Sequence, residues 1–174
     1  VDDSGYSHFL TDSLRGGVKV IQSNSTAAET ARADNIQSFD SGGYTIDNDG
    51  TSNYYRTSYI AWGWKAGNTW RSNIDGTIPS TVNANTANGF SIVKYDGGNI
   101  SGSTTTVGHG LSAAPELIIV KTYESGLTAS EWFVYSQEVG NTKEGYLNQT
   151  AAFGTDTDRW NSTSPTSSVF TLGS

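Results

Sequence analysis

Short apolar and aromatic stretches, each closed by a turn signal, recur along this chain. The stretch GFSIVKY (89–95) alternates, with Phe90, Ile92 and Lys94 set against Ser91, Val93 and Tyr95. A period of two is the period of a strand. ELIIVKTY (116–123) is instead a continuous apolar run, the pattern of a strand buried on both faces. EWFVYSQ (131–137), GYTID (43–47), SYIAWGWK (58–65) and SVFTLG (168–173) are rich in aromatic and β-branched residues and predict further strands. Gly42-Gly43, Asp49-Gly50, Asp75-Gly76, Gly97-Gly98 and Ser125-Gly126 mark turns between them. One segment has helical features: STAAETARADNI (25–36) offers Ser25 and Thr26 as N-caps, then alanines, and predicts a short helix or turn with little apolar surface to bury. GNTWRSNIDGTIPSTVNANTANG (67–89) has no clear period and reads as a connection with at most one short strand.

A second pattern lies above the strand scale. Sliding the sequence by 124 places sets residues 8–28 against 132–152 without gaps. Phe9 meets Phe133, Gly16 meets Gly140 and Lys19 meets Lys143. Asn24, Thr26, Ala27 and Ala28 meet Asn148, Thr150, Ala151 and Ala152. After a two-residue insertion, Tyr44-Thr45-Ile46 meets Phe170-Thr171-Leu172. A period of this length is domain-sized, so the expected organisation is parts of two successive copies of one unit. Residues 1–67 are expected to be the C-terminal part of a first β-sandwich repeat, 68–88 a connection, and 89–174 the N-terminal part of a second. On this reading the first copy's counterparts of GFSIVKY and PELIIVK precede Val1, and strand edges left open would be covered by neighbouring segments or subunits.

Composition narrows the class. Hydrophobic residues make up only 34% and charged residues 16%, so polarity comes from Ser, Thr, Asn and Gly. Those residues are poor helix formers and suit short strands and tight turns. The fold expected is all-β, built from antiparallel β-sandwich units of jelly-roll or lectin-like type. The net charge of −7 and the lack of a basic run argue against nucleic acid as a partner. No apolar run approaches the roughly 18 residues that span a bilayer, so no membrane insertion is expected. With no cysteine there is neither a disulfide nor a thiolate metal site. The start at Val1 and the absence of methionine fit a processed or partial chain.

Taken in order, HFLTDSLRGGVKVIQSNSTAAE, FDSGGYTI and SYIAWGWKAG resemble the repeated module of large structural proteins of tailed phages, marine ones especially. NGFSIVKYDG, TTVGHGLSAAPELIIVK and WNSTSPTSSVFTLGS resemble the opening and middle of the next copy. That family often carries a cysteine where this chain has Gly63, and its segment before SGYSHF is absent here. The resemblance implies a non-enzymatic virion structural protein in a tail fibre, appendage or capsid decoration, exposed on the particle surface. The implied partners are other virion proteins and further copies of itself, with fibre trimers as the expected form, and a host-surface glycan as a contact. The alternative is a carbohydrate-binding lectin-like module or a bacterial surface adhesin.

Candidate chemistry is sparse, and no cofactor is called for. His8 and His109 are the only imidazoles, and His109, in VGHGL, is read as structural. There is no G-x-S-x-G elbow, P-loop or zinc motif. Carboxylate pairs for sugar hydrolysis would be Asp47 with Asp49, Asp156 with Asp158, or Glu131 with Glu138, but neighbouring aspartates commonly cap turns. Asp47 and Asp49 are also weak calcium candidates, lacking the full twelve-residue loop. Binding falls to aromatics. Trp62 and Trp64 stand two apart in a predicted strand, where Ile60 and Ala61 beside them point to a core ahead of a sugar-binding face. Trp70 and Arg71, in a polar loop, are the expected exposed contact.

Overall fold

In a computed structural model the protein is described over residues 7–47, 53, 55, 58–97, 104–124 and 130–173. It is all-β, its ladders are antiparallel, and the described residues contain no helix. Two compact units divide the chain. The first comprises Val1–Trp62, Lys121–Trp132 and Leu147–Gln149; the second comprises Gly63–Val120, Phe133–Tyr146 and Thr150–Ser174.

The first unit holds a three-stranded sheet of β1 (Phe9–Leu10), β2 (Lys19–Gln22) and β3 (Thr30–Ala31). A hairpin of β4 (Ile36–Asp40) and β5 (Gly43–Ile46) follows, with a register irregularity between Ile36 and Ser38. Val20 and Ile21 of β2, together with Trp132, are its buried apolar residues.

The second unit begins with a meander of β6 (Arg71–Asn73), β7 (Ser80–Asn85) and β8 (Phe90–Tyr95). β9 (Thr105–Gly108) pairs with β14 (Val169–Leu172), and β10 (Leu117–Val120), β11 (Phe133–Ser136), β12 (Lys143–Tyr146) and β13 (Gly154–Thr155) form a four-stranded sheet in that order. Ile78, Val107 and Phe170 make its core, with Val93, Tyr95, Ile118, Val120 and Leu172 packed against them. Burying each such side chain contributes about 1.5–3 kcal/mol. The Tyr95 ring meets Phe170 edge-on at 6.2 Å, and burial pushes its phenol up to about 12. Trp160, 2% exposed, meets Tyr135 edge-on at 5.7 Å.

The two stretches related by 124 residues fold alike. β1, β2 and β3 stand at the same offsets as β11, β12 and β13. Their registers coincide: Phe9 faces Gln22 as Phe133 faces Tyr146, and Lys19 faces Ala31 as Lys143 faces Thr155. Both hairpins turn through a glycine in the left-handed region, Gly16 at φ 92° and Gly140 at φ 87°. Each glycine N–H donates four residues back, to Asp12 O at 3.0 Å and to Ser136 O at 3.1 Å. Asn24 Oδ1 accepts from His8 N at 3.3 Å, and Asn148 Oδ1 accepts from Trp132 N at 3.0 Å. Beyond the pairing, Arg32 N donates to Val18 O and Asp156 N to Thr142 O, again at one offset. An arginine lies over the leading phenylalanine in each: Arg32 over Phe9 at 5.0 Å and Arg159 over Phe133 at 3.7 Å. Among the shared residues, Gly16 and Gly140 serve the turn, Phe9, Lys19, Phe133 and Lys143 begin strands, and Asn24 and Asn148 supply the cap.

Four expectations need correction. Residues 25–36 form no helix: β3 pairs there with β2, because an open strand edge supplies partners that an alanine-only helical face cannot match. SYIAWGWK (58–65) is not a strand. β10 is buried on one side only, with Leu117 and Ile119 exposed and Ile118 and Val120 inward. The stretch 68–88 is more than a connection, since it carries β6 and β7. Polar residues there, Ser80 and Asn83, are buried alongside Val82, which conceals the usual apolar alternation.

Candidate functional site

The residues expected to bind a ligand belong to different units. Trp62, 79% exposed, belongs to the first unit, as do Ile60 at 88% and Tyr59 at 47%. Trp64, Trp70 and Arg71 belong to the second. Trp64 is 60% exposed, and its ring stacks on Phe90 at 6.3 Å. The expectation that Trp62 and Trp64 fill a core is therefore corrected. The segment that carries them joins no ladder, so no second strand brings a covering face to it. Trp70, expected to be the exposed contact, is half-buried just before β6.

Arg71 does reach a concave surface. It lines a cleft of about 460 Å³ with Thr69, Asn73, Asp75, Thr86 and Leu111 among its walls. β6 contributes Arg71, Ser72 and Asn73 to the lining, and β7 contributes Val82 and Ala84. Asn73 Nδ2 donates to Asp75 Oδ2 at 2.9 Å while Asp75 N donates to Asn73 Oδ1 at 3.0 Å, fixing both side chains. The cleft thus offers a guanidinium, a carboxylate and amide and hydroxyl groups, chemistry suited to hydrogen-bonding a hydroxylated ligand.

His109, beside the cleft residue Gly110, is 3% exposed. Its Nδ1 accepts from Leu111 N at 3.1 Å, so its proton sits on Nε2, which donates to Thr166 O at 3.2 Å. Both ring nitrogens are committed to backbone. Burial lowers its pKa, with the Thr166 carbonyl and Asp75 acting in the opposite direction. The residue ties the segment just after β9 to the loop before β14.

Of the carboxylates named from the sequence, Asp156 and Glu131 serve local structure. Asp156 Oδ1 accepts from Asp158 N at 2.8 Å and Arg159 N at 2.9 Å, and the Arg159 backbone bond holds its carboxyl low. Glu131 accepts from Asn148 Nδ2, while Glu138 is exposed in the other unit. Asp47 joins Asn35 O through its own N–H at 3.1 Å; Asp49 lies outside the described residues. Among the described residues no three His, Cys, Asp or Glu gather as a metal site.

The sequence reading did not single out Glu144, which is 9% exposed. It accepts from the Tyr146 hydroxyl and from Arg159 Nε at 2.8 Å. The bond to Glu144 raises the Tyr146 phenol to about 12. Nothing in the pattern of KEGY marks Glu144 as buried, and only the fold brings Arg159 to it.

No curated protein and no solved structure matches the chain. A family model does, over residues 2–174, and with it both hairpins and the cleft: the chain belongs to the family described as Domain of unknown function (DUF7483).

Proposed function

We propose that this chain is a non-enzymatic structural module on the surface of a tailed-phage particle, in a tail fibre, appendage or capsid decoration. Its work is assembly with other virion proteins and with copies of itself, and contact with host-surface glycans. The observation that carries the reading is repetition: one β-hairpin design occurs twice in one register, with the same glycine turn and asparagine cap. Repeated modules suit surface attachment, because many weak contacts gain through effective concentration without a strong single site. The commitment of His109, Glu144 and Asp156 to internal bonds supports a scaffold role. The sequence resemblance supplies the virion location. A chain-specific antibody applied to purified particles from the source culture, read by gold labelling in the electron microscope, tests it. Decoration of particle appendages or shell is expected; label on bacterial envelopes alone overturns it.

The exposed Trp62 and Trp64, and separately the Arg71 cleft, favour a second reading as a carbohydrate-binding module or bacterial adhesin. A glycan-array signal lost on Trp62→Ala or Arg71→Ala would favour that reading.

A further inference from the structure

The two copies of the hairpin differ in one respect that their matching geometry makes informative. In the first copy, the residues after β2 are covered. Trp132, 7% exposed, donates its indole N–H to Gln22 O at 3.0 Å and Ser25 O at 3.1 Å. Lys121 Nζ donates to Thr26 O at 3.0 Å. Tyr123 O accepts from Glu29 N at 2.8 Å. Thr26, Ala28 and Glu29 are accordingly half-buried. All of these residues lie in the first unit.

In the second copy the same offset leads from Gln22, Thr26 and Glu29 to Tyr146, Thr150 and Phe153, which lie in the second unit. Here Thr150, Ala151, Ala152 and Phe153 are all exposed. Phe153 stands where the first copy has Glu29, and its ring lies against Gly145, where an added Cβ would come within 2.6 Å of it. The surface therefore presents, at the same offsets, the backbone positions that hold a lysine, a carbonyl and an indole in the first copy, with an aromatic side chain added.

We propose that the surface of Tyr146 and Thr150–Phe153 seats a further copy of the same repeat, through a segment carrying the groups that Lys121, Tyr123 and Trp132 present to residues 22–29. The occupant's tryptophan donates to Tyr146 O, its lysine to Thr150 O, and one of its carbonyls accepts from Phe153 N. The contact is heterologous, one face to a different face, and this class of contact extends in rows. The inference stands on the repeat geometry and is independent of the particle on which the protein resides.

The test adds a synthetic peptide of residues 121–132 to the intact chain and follows backbone amide shifts. Saturable shifts at Tyr146 and Thr150–Phe153 are expected. A peptide with Trp132→Ala should bind about tenfold more weakly, as loss of an interface tryptophan commonly does. Ala151→Arg in the chain should weaken binding similarly while leaving all other shifts in place, and it avoids disturbing Phe153 over Gly145. Shifts confined to residues 22–29, equal binding of the two peptides, or no shift up to millimolar peptide would each overturn the proposal.

Discussion

Replacing His109 by glutamine separates its two backbone contacts from its titration. Glutamine can still donate to Thr166 O, as Nε2 does at 3.2 Å, but offers nothing in place of Nδ1 for Leu111 N at 3.1 Å. With His109 only 3% exposed, the orphaned N–H costs about 1–3 kcal/mol at pH 7.5. The pH dependence is the sharper part. Burial lowers the folded-state pKa below the ordinary 6.5, so the unfolded chain binds the proton more readily. The wild-type contribution is fully present above pH 6.5 and is lost as pH falls from there through the folded pKa. In that window the wild type loses up to about 1.4 kcal/mol per pH unit from this residue alone. Urea unfolding of both proteins at pH 7.5, 6.5 and 5.5 measures it, the difference between them removing the carboxylates common to both. The stability gap should be widest at pH 7.5 and narrow toward pH 5.5. A gap that stays constant, or widens in acid, refutes the assignment of a buried neutral imidazole.

Gly16→Ala and Gly140→Ala should each destabilise by about 1–2 kcal/mol in thermal or urea melts, because both sites have positive φ with open space around the position of a Cβ, leaving backbone strain as the cost. Trp160→Ala should cost about 3–5 kcal/mol, given its 2% exposure and its edge-on contact with Tyr135, and the near-ultraviolet circular dichroism should weaken with it. Trp62→Ala, at a 79% exposed position, should shift unfolding by no more than about 0.5 kcal/mol while removing a fluorophore that added iodide quenches readily.

Strands marked by alternation or by aromatic and β-branched content were legible in the sequence: β8 falls inside the alternating GFSIVKY, and β11, β5 and β14 fall inside EWFVYSQ, GYTID and SVFTLG. β6 and β7 were not, because polar Ser80 and Asn83 are buried where β7 pairs with its neighbours, with Ser80 Oγ donating to Gly108 O at 2.8 Å. Aromatic content misled at 58–65, where strand propensity without a pairing partner leaves exposed coil. Arg71 was found as a candidate contact, yet the cleft around it depends on β7 and on Gly110 and Leu111, which lie 9–40 residues further along the chain. The role of Asn24 and Asn148 was visible only as an identity between copies; their service as caps for His8 and Trp132 needed the hairpin geometry.

Scalar couplings across backbone hydrogen bonds address the duplication directly, since they identify donor and acceptor one pair at a time. The repeat predicts couplings from Gly16 N to Asp12 C=O and from Gly140 N to Ser136 C=O, and likewise from Ser23 N to His8 C=O and from Leu147 N to Trp132 C=O. Matching pairs at one constant offset would establish two copies of one hairpin. Pairs displaced by even one residue in either hairpin would mean that the likeness between residues 8–31 and 132–155 is one of composition only.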